Sequence, residues 1–80
     1  MTQAEPSTNL REYRLEMSPR ISQEVVAHRA NITLQTYRKA EAGENVSYTT
    51  ARAILAALNQ LRREKRLKTV ELDALNLSIV

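Results

Sequence analysis

Eighty residues suffice for one domain with a small core, since a chain this short buries only about 60% of the surface it exposes when unfolded. No cysteine is present and there is a single histidine, which excludes disulfides and the usual zinc sites; neither a metal nor a cofactor is expected. The net charge of +3 is unevenly spread, with ten basic and four acidic side chains between positions 20 and 68 and mildly acidic flanks, a distribution that suits a polyanionic partner.

Abundant Ala, Leu, Arg, Glu and Gln, one glycine and no long alternating stretch predict an all-α chain. The longest apolar run, 53–58, is far below the roughly 20 residues of a membrane span, and residues 1–20 lack a signal-peptide core. A cytoplasmic protein with no membrane segment is the expectation.

In chain order, residues 1–9 are polar, include Pro6 and have no apolar period, so they read as a flexible lead-in. Asn9 stands three residues before Glu12, the spacing of a capping box, and predicts a first helix over 10–17 that Pro19 closes. Ser22 is the next N-cap, and 23–29 forms a second short helix burying Val26, Ala27 and Ala30. Asn31 can take the left-handed conformation that ends it. Thr33 caps a third helix over 34–42, with Tyr37 and Ala40 inward and Gly43 as its stop. Ser47 caps a fourth to about residue 66, in which Ala51, Ile54, Leu55, Leu58 and Leu61 recur at helical spacing as the main core stripe. The remaining 67–80, rich in Leu, Ile and Val, reads as one helical turn followed by an extended apolar end. A body over 10–66 thus lies between the lead-in and the tail.

Helices over 23–29 and 34–42 joined by so short a turn must cross steeply. Gln23 opening the second helix, Val26-Ala27 on its inner face, Ile32-Thr33 at the turn, Glu41-Ala42-Gly43 closing the third helix, and Ser47 eleven residues before Leu58 form one register over some 38 positions. In that register the chain resembles the helix-turn-helix domains of the phage repressor and Cro type, the XRE family. The resemblance implies a four- to five-helix lambda-repressor-like domain, a sequence-specific double-stranded DNA-binding regulator with helix 34–42 in the major groove.

The chemistry agrees with this implication, since a groove about 12 Å wide admits one helix that is small inside and polar outside. Gln35 can pair with adenine, Arg38 can reach guanine or a phosphate, Leu34 or the methyl of Thr36 can meet a thymine methyl, and Lys39 can serve a base or a phosphate. The family implies that Gln23 anchors the DNA backbone at the second helix's N-terminus. Thr33 is primarily a cap and secondarily a phosphate contact. The family also implies an ion pair between Glu41 and Arg14, which is read as structural with Arg14 near phosphate as well. The segment MSPRIS, about two residues longer than the pattern, keeps Arg11 as a substitute. Ala42 and Glu44 depart from the family's polar and basic preferences and weaken backbone contact at that end. The run Arg62, Arg63, Lys65, Arg66, Lys68 reads as a solvated face or as further phosphate contacts.

A single short helix reads few base pairs, so a homodimer through the tail and fourth helix is expected, with burial of the tail inside the monomer as the alternative. Two other roles stand beside the regulator: an antitoxin-like autorepressor gripping a partner protein with its tail, and an interaction module that does not bind DNA. No cysteine nucleophile or pocketed Ser-His-acid set points to an enzyme.

Overall fold

The computed structural model describes residues 8–80. The expected lead-in at residues 1–7 lies outside them. Five helices follow in order, α1 (Leu10–Leu15), α2 (Gln23–Ala30), α3 (Leu34–Glu41), α4 (Tyr48–Glu64) and α5 (Leu72–Leu75). Among the described residues the only β pairing is an isolated parallel bridge between Val46 and Ile79. The architecture is all-α among the described residues.

Local chemistry sets the helix starts. Ser22, Thr33 and Ser47 hold extended backbone and accept, through their hydroxyl oxygens, the N–H groups of Val25, Thr36 and Thr50 at 3.1–3.2 Å. Each cap satisfies a donor that the first helical turn leaves without a backbone partner.

The helix ends share one solution. Asn31, Gly43 and Arg66 have φ of 60°, 92° and 62°. At each, the left-handed residue bonds back to the carbonyl three positions earlier: Asn31 to His28, Gly43 to Ala40 and Arg66 to Arg63. The next N–H reaches five positions back, Ile32 to Ala27, Glu44 to Lys39 and Leu67 to Arg62. These are Schellman closures. Asparagine and glycine tolerate that conformation, whereas arginine carries a Cβ penalty there.

The core is built on α4. Ala51, Ile54, Ala57, Leu58 and Leu61 are buried along it, and Leu10, Met17, Val26, Ala27, Tyr37, Ala40, Val46 and Leu75 close around them. α2 packs against both α3 and α4, so the short α3 is carried on the longest element through its neighbour.

Three expectations need correction. Asn9 does not cap α1 with its side chain; its Nδ2 donates to the Ala74 carbonyl and its backbone N–H to that of Leu75, both at 3.1 Å. The open carbonyl end of α5 offered a better partner than the local turn. Nor do the last lead-in residues stand apart, because Thr8 is buried and its hydroxyl donates to the Glu41 carbonyl at 2.9 Å. Helix α1 stops at Leu15 and α4 at Glu64, short of the expected 17 and 66; Met17 lies past the helix yet is wholly buried.

The tail spends its aliphatics on its own chain. Leu75 is fully buried, and Leu67, Val70, Leu72 and Leu77 pack against the core. Asn59 on α4 holds Val70 at both ends, donating to its carbonyl at 2.9 Å and accepting from its N–H at 2.8 Å. The end then returns to the α3–α4 connection, where Val46 donates to Ser78 at 2.8 Å and accepts from Val80 at 3.0 Å. Of the tail's large apolar side chains, Ile79 and Val80 remain exposed.

Because Arg66 alone meets a Schellman position with a bulky side chain, Arg66→Gly should raise unfolding stability by about 0.5–1 kcal/mol. Urea denaturation monitored by circular dichroism checks this; an unchanged or lower midpoint would show that the arginine side chain contributes more than its backbone costs.

Candidate nucleic-acid interface

The inner side of α3 converges on one carboxylate. Glu41 is 5% exposed. Its Oε2 accepts from Arg14 Nε and from the Tyr37 hydroxyl, each at 2.6 Å. Its Oε1 accepts from Arg14 Nη2 at 3.1 Å and from Gln23 Nε2 at 2.9 Å. Four donors therefore occupy the roughly four lone-pair sites of an ionised carboxylate. Arg14 also donates from Nη1 to the Ile21 carbonyl at 2.9 Å, fixing the chain just before the Ser22 cap. One buried group thus ties together α1, the α2 start and α3.

The electrostatics follow from this packing. Burial pushes the Glu41 carboxyl up, but the hydrogen bonds from Arg14, Tyr37 and Gln23 together outweigh it and hold the carboxyl below its ordinary range. Burial, reinforced by the bond to Glu41, pushes the Tyr37 phenol far up and keeps it a neutral donor. The hydrogen bond to Glu41, opposed by burial, raises Arg14 further.

The outer side is open. Gln35, Arg38 and Lys39 are exposed, and Leu34 and Thr36 are half-buried. Thr33 donates its hydroxyl to Thr36 Oγ1 at 2.9 Å, so Thr36 keeps its methyl and its own hydroxyl proton for a ligand. Arg38 Nε donates to Gln23 Oε1 at 3.4 Å, a long bond across the turn. Arg38 and Lys39 also lie in the last turn of α3, where positive charge suits the helix dipole.

Arg14, expected near the DNA backbone as well as in the ion pair, is turned inward. It is 8% exposed, and its Nε, Nη1 and Nη2 all have partners inside the protein. Arg11, the substitute for the ion pair, is exposed. Gln23 is half-buried and spends one carboxamide N–H on Glu41, while Thr33 is exposed and its hydroxyl oxygen is taken up in the cap.

The basic run that begins in the last turn of α4 divides. Arg62 is buried, donating to the Lys68 carbonyl at 2.6 Å and to Glu16 at 2.7 Å, with its guanidinium 5.2 Å from the centroid of the Tyr13 ring. Arg63, Arg66 and Lys68 are exposed. Position 62 falls four residues after Leu58, on the apolar stripe itself, and that spacing was the available signal. Tyr37 and Glu41, four apart on one helix, carried a similar signal for their hydrogen bond.

These geometries coincide with a known pattern, since a family model described as Helix-turn-helix matches residues 10–69. The chain belongs to the XRE-type helix-turn-helix family. Comparison with curated proteins and with solved structures returns no match. As a helix-turn-helix protein it carries a DNA-binding regulatory domain, with α2 and α3 as the motif and Asn31, Ile32 and Thr33 as its turn. No helix among the described residues is long and apolar enough to cross a membrane, and no cluster of three or more His, Asp or Glu side chains there is arranged to hold a metal ion.

Because the Glu41 carboxyl sits below its ordinary value of 4.5 in the folded chain, the unfolded chain takes up that proton first as pH falls. Its stabilising contribution is full above that value and drains away as pH drops toward the folded one. Tyr37→Phe removes one donor to the carboxylate and should cost about 1.5–3 kcal/mol at pH 7, while shrinking the acid-dependent part of stability. Denaturant midpoints at pH 7 and pH 3 for both proteins test this; equal pH dependence in the two would contradict it.

Proposed function

We propose that this helix-turn-helix protein is a sequence-specific regulator that lays α3 in the major groove of double-stranded DNA. The observation that carries the proposal is the division of one helix: Tyr37, Ala40 and Glu41 are locked inside, and Gln35, Arg38 and Lys39 stand outside. A base-reading helix needs that combination, because side chains reach base edges only from a backbone held in register. Gln35 suits adenine, the terminal nitrogens of Arg38 suit guanine, and Leu34 with the Thr36 methyl supplies apolar contact to thymine. Lys39 adds charge at the far end of the helix.

Backbone contacts fall to groups at helix starts. The N–H groups in the first turn of α2, with the second amide hydrogen of Gln23, and the Thr33 region at the start of α3 face a phosphate with donors and a favourable dipole. Arg14 takes no part. The exposed Arg63, Arg66 and Lys68 add long-range attraction rather than fixed contacts.

Eight helical residues span only a few base pairs, so two copies acting on half-sites about 34 Å apart complete the recognition. With Leu75 and its neighbours used inside the monomer, the apolar groups left exposed to a second copy include Ile79, Val80, Val25, Tyr48 and Ala56 of α4. The tail's burial in its own chain argues against its being primarily a grip for a foreign partner.

Selection from a random duplex pool should return an enriched motif, with affinity for it falling steeply as salt rises. Gln35→Ala and Arg38→Ala should each cost about 1–3 kcal/mol and relax preference at one base pair. Recovery of no motif, or binding insensitive to salt, would overturn the proposal.

A further inference from the structure

Among the described residues, Gln23 is the one side chain that hydrogen-bonds both the buried cluster and the outer face of α3. Its Nε2 lies 2.9 Å from Glu41 Oε1, and its Oε1 lies 3.4 Å from Arg38 Nε. The orientation of this carboxamide is chemically dictated. An ionised carboxylate accepts and cannot donate, so the amide must turn its nitrogen inward. Its oxygen then faces outward as an acceptor. A guanidinium has donors only, and Arg38 supplies one.

The choice of atom matters. A bidentate contact to guanine through the end of the guanidinium uses Nη1 and Nη2. Binding Arg38 through Nε leaves both of those nitrogens free and restricts the direction in which they point. An exposed arginine otherwise loses much rotamer freedom when it is fixed on a base edge. Holding it beforehand lowers that cost.

We infer that Gln23 is a positioning residue for Arg38, so that base discrimination on α3 runs through a chain from the buried Glu41 through the Gln23 carboxamide to the Arg38 guanidinium. The inference rests on the proposed reading of DNA by α3. It differs from a plain phosphate role for Gln23 in a measurable way. A phosphate contact is lost equally on every sequence, whereas a positioning contact is lost at one base pair.

The test uses the full chain and a panel of duplexes carrying every substitution in the selected site, with wild type, Gln23→Ala, Arg38→Ala and the double variant. Gln23→Ala should reduce discrimination at the base pair that Arg38→Ala affects by about fivefold or more, and the double variant should discriminate there no worse than Arg38→Ala alone. Unchanged discrimination at that base pair in Gln23→Ala, with the two substitutions additive, would overturn the inference while leaving the reading of DNA intact, whatever uniform loss the missing phosphate contact adds. A wild-type panel without any preferred base pair would instead remove the reading itself, and the inference with it. Nitrogen-15 relaxation of the Arg38 Nε–H group in the free protein gives an independent measure. It should be restrained in wild type and averaged in Gln23→Ala; equal mobility in the two proteins would overturn the inference without reference to DNA.

Discussion

The placement of α3 depends on a single buried carboxylate. Glu41 draws Arg14 from α1, Tyr37 from its own helix and Gln23 from the start of α2 onto its two oxygens. An ion pair removed from water is commonly no more stabilising than an apolar replacement, because both charges must be desolvated. Complete satisfaction of the oxygens offsets that penalty here, and the directionality of the bonds supplies what apolar contacts cannot. Apolar packing tolerates a small rotation of a short helix, whereas four hydrogen bonds to one carboxylate fix its register. For a helix proposed to bring its outer side chains to base edges, register is the functional quantity.

The remainder of the chain provides a frame for that cluster. Thr8 fastens the chain before α1 to the carbonyl of Glu41, so α3 is held at its backbone as well as at its side chain. Asn59 and Arg62 on α4 gather residues 68–70, and Asn9 gathers the end of α5. The bridge between Val46 and Ile79 returns the tail to the connection between α3 and α4. A domain of this size has a small apolar core, and these side-chain bonds to distant backbone groups compensate by closing the chain upon itself. They also account for why the tail offers so little apolar surface to the outside.

What could be read from the sequence was local or periodic. Ser22, Thr33 and Ser47 announced helix starts because capping is decided within four residues. Asn31 and Gly43 announced stops for the same reason, and the α4 stripe was visible as a helical period. The pairing of Arg14 with Glu41 came through family resemblance rather than spacing. The failures were tertiary. Asn9 fitted a capping box, but a carbonyl end 65 positions away in sequence claimed its side chain. Arg62 sat in a run of charges that reads as solvated, although its place on the stripe put it beside Tyr13 and Glu16. The tail's apolar residues declared that they would be buried without declaring by what, since apolar surface does not specify its partner. On the candidate interface, composition showed the polar face of α3 but could not show that Gln23 links it to the buried cluster.

The central claim is that the outer face of α3, held by Glu41, is the surface that meets DNA. Titration of isotope-labelled protein with its selected duplex, followed by two-dimensional NMR, addresses it directly. The account predicts the largest shifts at the side chains of Gln35 and Arg38 and at backbone amides in the first turns of α2 and α3, with Leu75 and Val70 unmoved. Shifts concentrated on the tail or on the exposed side of α4, with α3 unaffected, would contradict it.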